Sequence, residues 1–201
     1  MDWAKIIAEE AKTNDIIHSD ELAKRLSVPI QTLRVTLRRQ EKRGLVERVT
    51  RKIYINKLAS GFNVRDLATE VSSESYVSLE SALNEWGISS QSQIALTCVS
   101  PRQISSIKIR NAEIKFRTLK KSLFWGFEEK KTRYNTYKLA EREKALLDWI
   151  YLRRKDGLSV ELDEFQFQNI SRSKLLRYAK QYPRVILQTV YPLLIEHQFA
   201  A

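Results

Sequence analysis

Apolar and polar positions along the first 56 residues predict three short helices followed by a two-stranded hairpin. Apolar side chains recur at helical spacing over residues 2–12, 20–26 and 29–43. Pro29 suits the first turn of the third helix because its missing N–H would have no intrahelical partner there, and Gly44 suits the C-terminal end of that helix. Apolar and polar residues then alternate over residues 45–49 and 52–55, which indicates two strands that meet at Thr50 and Arg51.

After a linker at residues 57–63, the pattern predicts a second domain over residues 64–201. Helices are predicted over residues 64–71, 79–86, 141–152, 160–167, 172–181 and 184–196. Strands are predicted over residues 94–99, 123–127 and 135–139, with two more around residues 104–109 and 114–116 that meet near Asn111. We therefore expect an α+β protein whose second domain is a mixed α/β domain with a mostly antiparallel sheet and C-terminal helices.

Three helices and a hairpin within residues 1–57 are typical of a winged helix-turn-helix DNA-binding domain, in which the third helix enters the major groove. The candidate base-reading residues lie on the outer face of that helix: Gln31, Thr32, Arg34, Val35 and Arg38. The candidate phosphate contacts lie toward the helix end and on the wing: Arg39, Lys42, Arg48, Arg51 and Lys52. The alternative is a winged helix that binds protein.

The charge distribution favours a polyanion as the partner. The chain has a formal net charge of +11. Residues 28–54 carry a net charge of +6, whereas residues 57–100 carry −3 and residues 101–156 carry +9. The positive charge is thus concentrated in two blocks, which favours DNA as the partner of the first block over an evenly solvated surface.

The second basic block needs its own explanation. Its cations are interleaved with aromatic residues on or between predicted strands: Lys108, Arg110, Lys115, Arg117, Lys120, Lys121, Lys130, Lys131 and Arg133. They form either a solvated sheet face over an aromatic core, a further nucleic-acid surface, or a surface that binds a protein partner.

The sequence offers little support for catalysis, and we expect neither an enzyme nor a bound cofactor or metal. His18 and His197 have no cysteine or carboxylate at ligand spacing, and Cys98 in a predicted strand is a core thiol. Glu113 and Lys115 form the E-x-K core of metal-dependent nucleases, but that signature also needs an upstream aspartate, and residues 94–112 contain no acid. A magnesium-dependent nuclease is therefore a minor alternative.

Three further features of the sequence bear on the cellular compartment. The chain contains no apolar run as long as a membrane span and no signal-peptide pattern at its start. Its single cysteine cannot form an internal disulfide. We expect a cytoplasmic protein.

Four segments resemble one family of bacterial regulators. They are GLVERVTRKIYIN at residues 44–56, YVSLESALNEWGI at residues 76–88, IALTCVS at residues 94–100 and AEREKALLDWIYL at residues 140–152. In this combination the chain resembles the AbiEi-like transcriptional regulators, which are the antitoxins of abortive-infection type IV toxin–antitoxin systems. It departs from the family in the wing, where Lys52 and Ile53 precede Tyr54 and a glycine is often found.

The resemblance implies a prokaryotic repressor with two roles in antiviral defence. The winged helix would bind inverted repeats in its own promoter, as a monomer or weak dimer that is cooperative on DNA, and would autoregulate the operon. The second domain would neutralise a nucleotidyltransferase-like toxin, without requiring a stable complex. The alternative is a winged-helix transcription factor whose second domain senses a ligand or an unrelated partner.

Overall fold

The structure, a computed structural model, describes residues 1–90, 94–109 and 112–199. Within these ranges the chain is a mixed α+β protein, as predicted, and it contains eight α-helices and two sheets. The chain divides into two compact units. The first is Met1–Ser73 together with Lys131–Thr136, and the second is Glu74–Lys130 together with Tyr137–Ala201. The first unit thus extends beyond the predicted residues 1–57.

The first unit alternates helices and short strands. Its elements are α1 (Trp3–Glu10), β1 (Ile16–His18), α2 (Ser19–Arg25), α3 (Ile30–Lys42), β2 (Val46–Arg48), β3 (Ile53–Asn56) and α4 (Val64–Val71). The four helices and the hairpin strands predicted for this stretch are confirmed. Strand β1 was not predicted, because a run of three residues is too short to show alternation. It pairs antiparallel with β3, which gives a three-stranded sheet in the order β1-β3-β2.

The three N-terminal helices and the small sheet share one apolar core. Leu33 and Leu37 of α3 are fully buried and lie in one cluster with Ile7, Val46 and Tyr54. Burial of one such side chain stabilises the fold by about 1.5–3 kcal/mol relative to leaving it in water. This cluster fixes which face of α3 points inward and therefore which face is left for a ligand.

Helix α4 is joined to the rest of the first unit by polar contacts. Asn63 caps the helix by accepting a hydrogen bond from the Arg65 N–H at 3.0 Å. The Thr132 hydroxyl donates to Asp66 at 2.6 Å, and burial raises the pKa of this carboxyl. His18 Nε2 lies 2.9 Å from a Glu70 carboxylate oxygen, and that hydrogen bond raises the pKa of the imidazole.

The second unit combines a six-stranded sheet with four α-helices among its described residues. Its elements are β4 (Tyr76–Val77), α5 (Leu79–Glu85), β5 (Ala95–Ser100), β6 (Ile107–Ile109), β7 (Ala112–Thr118), a 3₁₀ turn (Lys121–Leu123), β8 (Phe127–Lys131), β9 (Thr136–Ala140), α6 (Arg142–Lys155), α7 (Arg172–Ala179) and α8 (Arg184–Glu196). The predicted meeting point of β6 and β7, Asn111, lies outside the described residues.

The sheet of the second unit is mixed, so the predicted mostly antiparallel pairing does not describe it. Its strand order is β6-β7-β5-β4-β9-β8. Pairs β4–β5 and β6–β7 are antiparallel, whereas β5–β7 and β4–β9 are parallel. Parallel neighbours such as β4 and β9 are distant in the chain, and the pattern of apolar positions carries no information about that pairing.

The strand predicted over residues 123–127 is wrong, since only Phe127 of this run belongs to a strand. Gly126 has a φ of +75°, which is incompatible with a continuous strand. The aromatic side chains of the run are instead used for packing. The rings of Phe124 and Phe127 lie 5.3 Å and 4.9 Å from the ring of Tyr76.

The helix predicted over residues 160–167 is also wrong, because the described chain there is irregular. Leu162 and Phe167 are anchored in the core, with exposures of 5% and 2%. The Gln166 N–H donates to the Ile88 carbonyl at 2.8 Å. These two buried side chains and the hydrogen bond to Ile88 fix the segment in a non-helical conformation. Tertiary contacts therefore outweigh the helix that the spacing of its apolar residues predicts.

Helix α6 is buried on all sides over Glu143 to Leu152 and carries a buried ion pair inside the second unit. The ammonium of Lys144 contacts the carboxylate of Asp148 one turn later, and both side chains are fully buried. Three hydroxyl groups complete the cluster, with donors Tyr76, Ser78 and Tyr182 lying 2.8, 2.9 and 2.7 Å from the Asp148 carboxylate oxygens. Every carboxylate oxygen is thereby satisfied.

Aromatic rings enclose the Lys144 ammonium within this cluster. Nζ lies 5.4, 5.0 and 5.3 Å from the ring centroids of Tyr76, Trp125 and Tyr182, within the range of cation–π attraction. Nζ also donates to the Tyr182 hydroxyl at 2.7 Å. Burial lowers the pKa of Lys144 and raises the pKa of both tyrosines.

Candidate nucleic-acid interface

Helix α3 presents a polar and basic face to solvent. The turn before it has Ser27 at a φ of +54°, and Pro29 precedes the first helical residue. Leu33, Thr36, Leu37 and Gln40 are buried, which leaves the opposite face outward. The exposed residues on that face include five of the predicted contacts on this helix: Gln31, Thr32, Arg38, Arg39 and Lys42. Val35 is 49% exposed, which leaves its apolar side chain available to a ligand.

The turn of the hairpin beside α3 is ordered by the side chain of Thr50 and contains no glycine. The Thr50 hydroxyl oxygen accepts from the N–H groups of both Lys52 and Ile53 at 3.1 Å. Glu41 on α3 accepts from the Arg48 N–H at 3.1 Å, which fastens the hairpin to the helix. The Arg48 Nε donates to the Thr50 carbonyl at 3.1 Å. The hairpin therefore forms a compact turn without a glycine.

A groove of about 200 Å³ lies between α3 and the hairpin. Its lining consists of Gln31, Arg34, Val35, Arg38, Arg48, Arg51 and Tyr54. Six of these seven are predicted DNA contacts, and the structure brings them together from two elements. No acidic residue is among them. Four guanidinium groups in one groove, each with donors in a planar fork, suit phosphate oxygens or the acceptor edge of guanine.

Four predicted contacts lie outside this lining, namely Thr32, Arg39, Lys42 and Lys52. Lys52 is engaged elsewhere, with its Nζ 3.2 Å from a carboxylate oxygen of Asp20. The other oxygen of that carboxylate accepts from Arg34 Nη2 at 3.0 Å. The hydrogen bond from Lys52 lowers the pKa of Asp20, and the nearby charge of Arg34 acts in the same direction.

Sequence reasoning missed Asp20 and Tyr54. Asp20 has an ordinary explanation as an acid in the first turn of a helix, and only the fold shows its contacts to α3 and the hairpin. Tyr54 is buried, with 1% exposure, yet it lines the groove. The alternation of apolar and polar residues in its strand does not indicate that Tyr54 lines a groove.

The second basic block does not occupy one continuous area of the sheet. Lys108, Lys115 and Arg117 lie on β6 and β7 at one edge, whereas Lys130 lies on β8 at the other edge, with three strands between. Lys120 and Lys121 are exposed beyond β7, and Arg110 lies outside the described residues. Lys131 is the last residue of β8 but belongs to the first unit, as does Arg133.

Several cations of this block already have partners. Arg117 contacts the Asp156 carboxylate. Lys130 lies 2.6 Å from Glu128 and 4.7 Å from the centroid of the Trp86 ring. Arg133 donates to the Ser60 carbonyl at 3.3 Å. The two ion pairs reduce the positive charge that the block offers to a ligand.

The E-x-K pair lies on β7, where Glu113 and Lys115 are 3.8 Å apart. Strand β5 pairs with β7 and places Ala95 and Thr97 opposite them. No cluster of three His, Cys, Asp or Glu side chains that could hold a metal ion occurs among the described residues. The nuclease signature thus lacks its second acid on the neighbouring strand.

Comparisons with known proteins add no further constraint. Neither the known protein-family models nor the curated proteins contain a match to this chain. Across the described residues, no helix is both long and apolar enough to cross a membrane.

Proposed function

We propose that this protein is a sequence-specific DNA-binding transcriptional repressor whose first unit is a winged helix-turn-helix domain. The observation that supports this most strongly is the groove between α3 and the β2–β3 hairpin, which is lined by four arginines and no acid. The element order of the unit and its sheet order β1-β3-β2 agree with the same interpretation. Helix α3 would be the recognition helix and the hairpin would be the wing.

In this proposal α3 enters the major groove, which admits one helix, and its outward residues contact base edges. Gln31 offers both a donor and an acceptor, Val35 suits a thymine methyl group, and Arg38 suits the acceptors of guanine. The wing arginines Arg48 and Arg51 contact phosphates beside the helix. Phosphate contacts fix the position of the domain, whereas base contacts supply the sequence preference.

For the second unit we propose the antitoxin role that the resemblance to the AbiEi-like regulators implies. The chain would repress its own operon through inverted repeats and would neutralise a nucleotidyltransferase-like toxin. The cations of the second basic block are divided between two edges of the sheet and do not form one surface for such a toxin.

A binding titration against salt tests the DNA role. If five to seven cations neutralise phosphates, the logarithm of the binding constant falls with the logarithm of salt at a slope of roughly −5 to −6. Arg51→Ala should weaken binding to all duplexes alike and make the slope shallower by about 1. Arg38→Ala should cost about 1–3 kcal/mol on a preferred duplex and relax the sequence preference.

Arg184→Ala is the matched control, since it removes an exposed arginine from the first residue of α8 in the second unit. It should leave both the affinity and the slope unchanged. A slope near zero for the unaltered chain would contradict the DNA role.

The antitoxin role is tested separately in bacterial cells. A nucleotidyltransferase-type reading frame adjacent to the gene is expressed with and without this chain, and growth is measured. Growth arrest by the neighbouring product alone, relieved by co-expression of the chain, is the expected result. Arrest that the chain does not relieve would contradict this role and leave the DNA-binding result unaffected.

A further inference from the structure

We propose that Asp20 is a positioning residue that determines how selectively the interface discriminates between DNA sequences, an inference that rests on the proposed DNA-binding function. Asp20 lies in the first turn of α2 and does not line the groove. Its carboxylate nevertheless contacts cations from both elements that form the groove. One oxygen accepts from Arg34 Nη2 of α3 at 3.0 Å, and the other lies 3.2 Å from Lys52 Nζ of the hairpin.

The contact with Arg34 fixes the orientation of a guanidinium that lines the groove. The Arg34 side chain is only 16% exposed, and its Nε has no hydrogen-bond partner within the structure. An arginine held by a carboxylate on one side loses its rotamer freedom before DNA binds, so less entropy is lost on binding. Its planar fork is then directed in one fixed way, as bidentate recognition of a base requires.

An Arg34 side chain without Asp20 would be free to turn toward the nearest phosphate. Phosphate oxygens are the same at every position of a duplex and carry no sequence information. Loss of the carboxylate would therefore convert a base-directed contact into a backbone contact. The affinity for DNA in general would rise while the discrimination between sequences would fall.

The contact with Lys52 affects the general affinity for DNA through charge alone. The Lys52 side chain is 68% exposed, and its ammonium forms an ion pair with the Asp20 carboxylate. Release of this lysine adds one cation that can neutralise a phosphate. Each such contact steepens the salt slope by about 0.9, which corresponds to about an eightfold gain in affinity at 0.1 M salt.

Two substitutions separate the two contacts. Asp20→Asn retains an amide oxygen that can accept from Arg34, but it removes the charge that holds Lys52. We expect it to steepen the salt slope by about 1 and to leave sequence discrimination within about twofold of the unaltered chain. Asp20→Ala removes both contacts, so it should steepen the slope by about 1–2 and lower discrimination about tenfold.

The experiment uses the full chain and two fluorescent DNA probes. One probe is a duplex that the unaltered chain enriches from a random-sequence library, and the other is the unselected library itself. Fluorescence anisotropy gives the affinity for each probe at several salt concentrations, and the ratio of the two affinities measures discrimination. Circular dichroism confirms that each variant is folded. A partly unfolded variant would bind more weakly, which is opposite to the expected gain on the unselected library.

Glu21→Ala is the matched control, because Glu21 is the next acid in the same helical turn and the structure records no ion pair between it and Arg34 or Lys52. It should leave sequence discrimination unchanged and should alter the salt slope only slightly and equally for both probes. In an Arg34→Ala background, Asp20→Ala should no longer alter discrimination.

Three results would overturn the proposal while the DNA-binding function stands. They are unchanged discrimination in Asp20→Ala, equal changes in Glu21→Ala, and a further loss of discrimination in the Arg34→Ala background. If the unaltered chain binds neither probe, the proposed function fails and the inference fails with it.

Discussion

Removal of the Asp148 charge should destabilise the second unit far more than removal of its ion-pair partner. Asp148→Asn leaves the Lys144 ammonium fully buried without a counter-charge, because only neutral acceptors remain, namely the amide oxygen and the Tyr182 hydroxyl. Lys144→Met leaves the Asp148 carboxylate with donors from Tyr76, Ser78 and Tyr182. The two substitutions break the same ion pair, but they leave its members in very different states.

The magnitudes follow from what each variant leaves behind. An uncompensated charge in the interior costs about 3–5 kcal/mol, which we expect for Asp148→Asn. A carboxylate that still accepts three hydroxyl hydrogen bonds is far better satisfied, so Lys144→Met should cost about 1–3 kcal/mol. Burial already lowers the pKa of Lys144 below its ordinary value of 10.5. The deficit of Asp148→Asn should therefore shrink as the pH rises toward that value, because the free energy needed to deprotonate the lysine on folding falls as the pH approaches its unfolded-state pKa.

Urea unfolding followed by tryptophan fluorescence measures these differences. Trp125, whose ring centroid lies 5.0 Å from Lys144 Nζ, reports directly on the cluster. With an m-value near 2 kcal/mol/M, Asp148→Asn should lower the midpoint by about 1.5–2.5 M. Glu9→Gln breaks the exposed pair with Lys12 and should leave the midpoint unchanged. A larger deficit for Lys144→Met than for Asp148→Asn would refute this reasoning.

Two further predictions concern the first unit. His18 has a raised pKa through its hydrogen bond to Glu70, so the stability it contributes is fully present below about pH 6.5 and is lost as the pH rises through the raised value. Glu70→Gln should lower the midpoint of the His18 ring-proton titration measured by NMR, and an unchanged midpoint would exclude Glu70 as the cause. Thr50→Val removes the acceptor of two N–H groups in the hairpin turn and should cost about 1 kcal/mol, with faster amide exchange at Ile53. Thr13→Val, an exposed threonine in the same unit, is its control and should not alter exchange at Ile53.

The elements that the sequence predicted well are those with strong local signals. Helices α4 and α8 occupy the predicted residues, because their apolar spacing agrees with the faces that the fold buries. The hairpin was predictable from its alternation, and six of the predicted contact residues, from α3 and this hairpin, line the groove. The local pattern of apolar and polar residues is sufficient to predict functional residues that lie on the exposed face of a single element.

The errors arise where distant residues decide the structure. The aromatic run that ends at Phe127 has the composition of a strand, yet its rings pack on Tyr76. The contact of Asp20 with Arg34 spans 14 positions in the chain, and nothing in the first turn of α2 indicates it. The i, i+4 spacing of Lys144 and Asp148 is typical of a solvated helix surface, whereas here both are fully buried.

The division of the first unit between two stretches of chain has a consequence for its synthesis. Asp66 accepts a hydrogen bond from the hydroxyl of Thr132, and Thr132 belongs to the segment Lys131–Thr136. At about 5–20 residues per second, the ribosome reaches that segment roughly 3–12 s after it has made Ser73. The unit that we propose to bind DNA therefore lacks this hydrogen bond at the time when its own helices have been translated. A nascent or truncated chain that stops before residue 131 lacks this contact, so the last piece of the first unit becomes available only after β4 to β7 of the second have been made.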